Sequence, residues 1–156
     1  QVRLPDGTVV DDYYHIRLQE HTVIFAETPE GTVIVERQYK HGAGKICLVL
    51  PAGSIEEEED PLAAAQRELL EETGYASDDW QSLGSFVPHG TYGCGKAHLF
   101  RARNAQQLAE PNSGDLEEME IILMKPEDLL DALRTGHVVG LGAVTAIALA
   151  TNPLIN

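Results

Sequence analysis

Arg67, Glu68, Glu71 and Glu72 crowd three carboxylates and one guanidinium into six residues. On a helix, Glu68 and Glu72 stand one turn apart and differ by roughly 40° around the axis. Glu71, three residues from Glu68, lies on the same side. Like charges stacked in this way repel and weaken the helix that carries them. A divalent cation relieves the repulsion, and Mg²⁺ is commonly held by one or two carboxylates together with substrate phosphates. Mn²⁺ is the expected substitute. Such a cation screens the phosphate oxygens it meets, orients them and lowers the pKa of a bound water. The bland alternative is a solvated acidic face, which is what most charge runs are.

The elements around these residues are well marked. Asp60 reads as an N-cap and Pro61 as the first helical residue. Leu62, Ala63, Ala64, Ala65, Leu69 and Leu70 supply helix propensity and an apolar side. Gly74 reads as the residue that ends the helix. Ahead of it, Pro51, Ala52 and Gly53 form a tight loop entered from an apolar strand, Ile46 to Leu50. That strand is expected to be buried on both faces.

Elsewhere, residues 2–10 read as two short strands about Pro5-Asp6-Gly7, and His15 to Leu18 as a further alternating segment. Val23 to Ala26 and Thr32 to Glu36 are expected to form a hairpin about Pro29-Glu30-Gly31. Later strands are expected within Trp80 to Val87, Ala97 to Ala102 and Glu120 to Met124. Residues 88–95 form a glycine-dense loop, and residues 105–114 are loop-like. Two more helices are expected, one from Pro126 to Gly136 and one about Val144 to Ala150. The whole is an α+β chain with a mixed sheet.

Gly53, five residues, Glu59, seven residues, then Arg67-Glu68-Leu69-Leu70-Glu71-Glu72-Thr73-Gly74-Tyr75 resembles the Nudix box, with every fixed position present. Tyr75 departs from the usual aliphatic residue but still serves packing. The resemblance implies the Nudix fold, an α/β/α sandwich. It spreads over most of the chain. LPDGTVVDDYYHIRL, VERQYKHG, LPAG, GHVVGLGAVTAIALA and Pro88 are similar to the ADP-ribose pyrophosphatase branch. That branch implies Mg²⁺-dependent cleavage of a nucleoside diphosphate sugar, with ADP-ribose giving AMP and ribose 5-phosphate. It also implies a homodimer in which residues 1–20, including Tyr13 and Tyr14, form an antiparallel strand extension exchanged between subunits. One departure stands out. The loop after Pro88 reads HGTYGCGKAH and lacks the acidic residue the branch often carries there. Tyr92 instead matches a tyrosine associated with dinucleoside polyphosphate hydrolases.

The resemblance assigns Glu68 and Glu72 as cation ligands, with the backbone carbonyl of Ala52 joining them. Glu71 is either a further ligand or the i+4 partner of Arg67. Arg67 is expected to orient the carboxylates. Glu59 is expected to pair with Arg67 or to lie in solvent. The acidic group Asp115, Glu117, Glu118 stands where the branch carries a loop glutamate near the metals, so Glu117, with Glu118 beside it, is the candidate general base. Arg37, Tyr39 and Lys40 are candidate contacts for base and phosphate, and His89 and Lys96 flank the glycine-rich loop as further phosphate or sugar contacts. His98 reads as a strand histidine satisfied by its neighbours.

Length and composition bound the alternatives. The chain has 156 residues, 43% of them hydrophobic, and a formal charge of −14. One domain spanning 1–156 with a sizeable core is expected. The charge argues against nucleic-acid backbone binding, and it requires cations or local basic groups to hold an anionic substrate. No apolar run reaches the roughly 20 residues of a membrane span. Cys47 and Cys94 do not suggest a disulfide framework, Gln1 is followed by no signal-like stretch, and a cytoplasmic location is expected. Three other readings compete. They are a Nudix pyrophosphatase for GDP-mannose or dinucleoside polyphosphates, a catalytically silent nucleotide-binding regulator, and an isoprenoid diphosphate isomerase. The last would need a carboxylate beside Cys94, and the sequence places none nearby.

Overall fold

The structure is a computed structural model that describes residues 1–112 and 119–155. Chain order begins with two short strands, β1 (Val2–Arg3) and β2 (Val9–Val10), paired antiparallel. The turn between them closes through Leu4 N–H to the Thr8 carbonyl at 2.8 Å. β3 (His21–Ala26) and β4 (Val33–Lys40) follow, then β5 (Lys45–Val49), β6 (Ala52–Ser54) and helix α1 (Pro61–Thr73). β7 (Tyr75–Ala76), β8 (Asp79–Phe86), β9 (Ala97–Arg103), β10 (Gln106–Gln107) and β11 (Glu120–Met124) lead to helices α2 (Pro126–Arg134) and α3 (Leu141–Thr151).

The strands form two principal sheets. One has the order β6-β3-β9-β8 and is mixed, because β3 and β9 run parallel. The other is antiparallel, in the order β11-β4-β5. Alternation along β3 divides the core. Val23 and Phe25 pack with Ala143, Ala146 and Ile147 of α3 and Leu129 of α2. Ile24 and Ala26 face the other way, against Ala65 and Leu69 of α1. The result is the expected α/β/α layering, with α1 on one side and α2 and α3 on the other.

Four expectations about the strands need correction. β3 and β4 do not form a hairpin. The turn closes through Thr28 N–H to the Thr32 carbonyl at 2.8 Å, but only the bridge Glu27↔Val33 joins its arms. Both edges of β3 are taken by β6 and β9, and both edges of β4 by β5 and β11, so the strands part into different sheets. β5 is a sheet edge rather than a doubly buried strand. Cys47 is buried but Ile46 is 55% exposed. Residues 15–18 form no strand; Ile16 N–H reaches only the Tyr92 carbonyl, at 3.0 Å. The segment from residue 105 onward is not all loop, because β10 pairs with β7.

Helix α1 begins and ends where the sequence places it. The Asp60 carboxylate accepts from Leu62 N–H at 2.9 Å and Ala63 N–H at 3.2 Å, which satisfies two of the free donors of the first turn. Gly74 adopts φ of 76° and its N–H reaches the Leu70 carbonyl. A side chain at that position would strike the Ala109 carbonyl, since the chain returns over the helix end to donate Leu108 N–H to Gly74.

Candidate active site

Glu68, Glu72, Ala64, Ala65 and Leu69 share the side of α1 that faces the four-stranded sheet. Glu72 is 8% exposed, and one of its oxygens accepts the Ala52 N–H at 2.8 Å. Glu68 has a side chain 14% exposed, and its carboxylate lies flat against β6 at Gly53. A Cβ built on Gly53 would fall directly on that carboxylate, so only glycine leaves room for it. The two carboxylates are thus drawn to consecutive residues of β6, although α1 and β6 are separated by a loop.

Arg67 holds the group together. Its Nε and one terminal nitrogen reach the two oxygens of Glu59, each at 3.0 Å, in the planar two-bond geometry that guanidinium and carboxylate favour. The other terminal nitrogen donates to Glu68 at 2.7 Å and to Glu71 at 3.2 Å, and a further bond reaches the Ser54 carbonyl at 3.1 Å. Glu59 also accepts the Glu56 N–H, which folds the loop before the helix. Bonding to Arg67 above all holds the Glu59 carboxyl below its ordinary value. Arg67 in turn is held firmly protonated, mostly by Glu59. Glu59 therefore pairs with Arg67 rather than lying free in solvent, and Glu71, 51% exposed, is an i+4 partner of the same arginine.

Hard oxygen donors at Glu68 and Glu72, with Glu71 at the rim, suit Mg²⁺ or Mn²⁺. Among the described residues, no three His, Cys, Asp or Glu side chains converge into a ready cage. Glu117 and Glu118, the candidate bases, lie outside the described residues, as does Asp115. The chain on either side of them is placed. Asn112 N–H donates to the Glu71 carbonyl at 2.7 Å, and Glu120 pairs with Arg37 at 3.0 Å.

The remaining candidates are scattered. Along β4 the side chains alternate, so Arg37 and Tyr39 point away from the face that carries Glu36, Gln38 and Lys40. Lys40 lines a cavity of about 180 Å³ with His21, Glu36, Gln38, Ala52 and Gly140. Arg37 is occupied by Glu120, and the exposed Tyr39 ring meets His41 edge-on. His89 stacks on Tyr92 with ring centroids 4.4 Å apart. Lys96 lies 3.7 Å from Glu20. His98 is bonded at both nitrogens, to Ser85 at 2.9 Å and to Glu20 at 2.7 Å, and the His98 bond chiefly lowers the Glu20 carboxyl.

Sequence reasoning passed over the cavity's polar wall. Gln38 and the deeply buried Glu36 share a hydrogen bond of 3.1 Å, and the alternation of polar residues along β4 was the available signal. His21 sits where this cavity meets a larger apolar one of about 390 Å³ lined by Phe86, Val87 and Leu141. Burial, then the nearby His98, pushes His21 below its ordinary value, so its imidazole stays neutral at pH 7. Ala52 both lines the smaller cavity and holds Glu72, so the cavity adjoins the acidic group.

A family model described as the NUDIX domain matches residues 17–141. An ADP-ribose pyrophosphatase of Bacillus subtilis is 31% identical over 111 residues, covering 71% of this chain and 59% of that protein. An ADP-sugar pyrophosphatase of Mus musculus is 37% identical over 106 residues, covering 65% and 49%. The chain therefore spans about half to three-fifths of the length of these two relatives. A crystal structure of an ADP compounds hydrolase superposes with a TM-score of 0.75 over 84% of this chain and 70% of that one, at 22% identity, a likeness of fold.

Proposed function

The chain belongs to the Nudix family, and on that premise we propose that it hydrolyses the diphosphate bond of a nucleoside diphosphate sugar. The preferred substrate in this reading is ADP-ribose, cut to AMP and ribose 5-phosphate. The observation that carries it is the seating of two shielded carboxylates, Glu68 and Glu72, against Gly53 and the Ala52 N–H, with Arg67 bracing Glu68. Relatives named for ADP-ribose and ADP-sugar cleavage support the substrate class.

Glu68 and Glu72, with the Ala52 carbonyl and the exposed Glu71, would hold Mg²⁺ or Mn²⁺. Bound there, the cation screens diphosphate charge and acidifies a coordinated water. The protein's own part is to fix those oxygens. Arg67 does this for Glu68 through the 2.7 Å bond, and is itself held in place by Glu59. Glu117, with Glu118 as its neighbour, takes the proton of the attacking water. That oxygen bonds to phosphorus as the bridging P–O bond breaks, and two phosphate monoesters leave. The organic part of the substrate fits the cavity beside Ala52, where neutral His21, Gln38 and Lys40 offer hydrogen bonds. Arg37, Tyr39, His89 and Lys96 lie outside the lining of that cavity and have no assigned part in this reading.

In the same reading, residues 1–156 act as one domain, and residues 1–20 pair with a second copy to make a homodimer. The exposed Tyr14, Ile16 and Leu18 support that pairing. Among the described residues, no helix is long and apolar enough to cross a membrane. Two free thiols, Cys47 and Cys94, suit a reducing, cytoplasmic setting.

A panel of ADP-ribose, GDP-mannose and diadenosine polyphosphates, assayed with Mg²⁺, tests the proposal. Fastest turnover of ADP-ribose supports it. Preference for either other class reassigns the substrate, and nucleotide binding without turnover of any would favour the regulator.

A further inference from the structure

One hydroxyl in the site has no employment in the scheme above. Thr22 is fully buried, and its Oγ1 has no hydrogen-bond partner among the described residues. A buried polar group left unpaired is costly, and such groups ordinarily find a partner or a functional reason.

The sheet register shows where it points. Thr22 stands directly opposite Gly53 of β6 on one side and beside His98 of β9 on the other. Residues paired across an antiparallel ladder send their side chains to the same face. That face is the one toward α1, since Ile24 and Ala26 on the same strand pack against Ala65 and Leu69. Gly53 brings no side chain, and the space over it is filled by the Glu68 carboxylate. The row across the sheet therefore reads Glu68 over Gly53, then Thr22, then His98, then Ser85. Opposed Cβ atoms in such a ladder are about 4.5–5.5 Å apart, which puts the Thr22 hydroxyl within reach of Glu68 directly or through one water. The rest of the row is already spent. His98 uses both nitrogens, on Ser85 and Glu20.

We propose that Thr22 is a positioning residue: its hydroxyl donates to the Glu68 carboxylate, directly or through one buried water, when that carboxylate turns from Arg67 toward a divalent cation. In this structure Glu68 leans on Arg67 at 2.7 Å. A carboxylate that ligates a cation through one oxygen keeps its orientation by accepting a hydrogen bond at the other, and such outer partners strongly influence affinity. Among the described residues of that row, Thr22 is the donor left over for that purpose. The inference rests on the cation site proposed above.

The test measures Mn²⁺ binding, by electron paramagnetic resonance and calorimetry, to the full chain and to Thr22→Val and Thr22→Ser. Valine keeps the shape and removes the donor. Its Kd for Mn²⁺ should rise by about 10-fold, while the cation-free protein melts at the same temperature as wild type or higher, because an unpaired buried hydroxyl has gone. Serine should restore affinity to within about 2-fold of wild type. A purely structural role would lower the melting temperature without a selective loss of Mn²⁺. Unchanged Mn²⁺ affinity in Thr22→Val, or in Thr22→Ala should valine not fold, overturns the proposal. Wild type that takes up no Mn²⁺ would sink the cation site itself, a result distinct from a failure of Thr22 alone.

Discussion

Replacing Gly53 with alanine separates the working position of Glu68 from the stability of the fold. Gly53 does not have a left-handed φ, so alanine suits the local backbone. In the unfolded chain alanine costs less entropy to order, a gain of about 0.4–1 kcal/mol. The added Cβ, however, lands on the Glu68 carboxylate, which sits at the free end of a flexible side chain and can move. It must retreat by more than about 1 Å to restore ordinary contact distances. The retreat breaks the 2.7 Å bond to Arg67, a loss of about 1.5–3 kcal/mol for a charged pair. The net destabilisation is then about 0.5–2.5 kcal/mol, a fall in Tm of about 1–10 °C. Misplacing a ligand by 1 Å can cost about 100-fold in rate, equivalent to about 2.7 kcal/mol in the barrier. The G53A protein should therefore remain folded by circular dichroism, yet hydrolyse ADP-ribose with kcat/KM lowered about 100-fold or more. A folded G53A protein with wild-type kcat/KM would show that the seat of Glu68 on β6 has no bearing on turnover.

Three further outcomes follow from the same geometry. Arg67→Lys keeps the charge but cannot make the two-bond contact with Glu59, and kcat/KM should fall about 10- to 100-fold with a weaker Mn²⁺ Kd; an unchanged Kd would remove Arg67 from the bracing role. Glu59 has a carboxyl held below its ordinary 4.5 by Arg67, so its contribution is complete above that value and fades as pH falls through the lowered folded value. Denaturant titrations of wild type and Glu59→Gln should differ by a constant amount near neutrality and converge in acid, and a gap that widens in acid would reverse the sign of the argument. Glu117→Gln should lower kcat by about 100-fold or more with little change in KM, as expected for a general base; an equal or larger loss in Glu118→Gln alone would move the role to that neighbour.

How much of this could be read in advance depended on whether the signal was local. The caps of α1 were legible because Asp60, Pro61 and Gly74 act on backbone groups within a few residues of themselves. The acidic face of α1 followed from the helical period alone. The division of β3 and β4 between two sheets was not legible. A short turn with Pro29 and Gly31 looks the same whether its arms pair with each other or with β6, β9, β5 and β11. The apolar run Ile46 to Leu50 was misread for a related reason, since an edge strand and a central one can share composition when one face packs on the core. Arg37, Tyr39 and Lys40 lie within four residues of one another, yet the strand period of two sends Lys40 to the face opposite Arg37 and Tyr39. Gly53 was visible as a motif position, but its physical reason, the Glu68 carboxylate lying over it, belongs to the packing of α1 on β6. Thr22 lies within an ordinary strand pattern, and only the cross-strand register ties it to the site.

The central claim is that carboxylates seated on one helical turn enable a divalent cation to cleave a diphosphate. It is tested most directly by following ADP-ribose with wild type and Glu72→Gln, each with Mg²⁺ and with chelator. The account predicts AMP and ribose 5-phosphate from wild type with Mg²⁺, none with chelator, and a folded Glu72→Gln protein about 100- to 1,000-fold slower, as for loss of a group stabilising charge in the transition state. Turnover that persists in chelator, or a Glu72→Gln protein as fast as wild type, would contradict it.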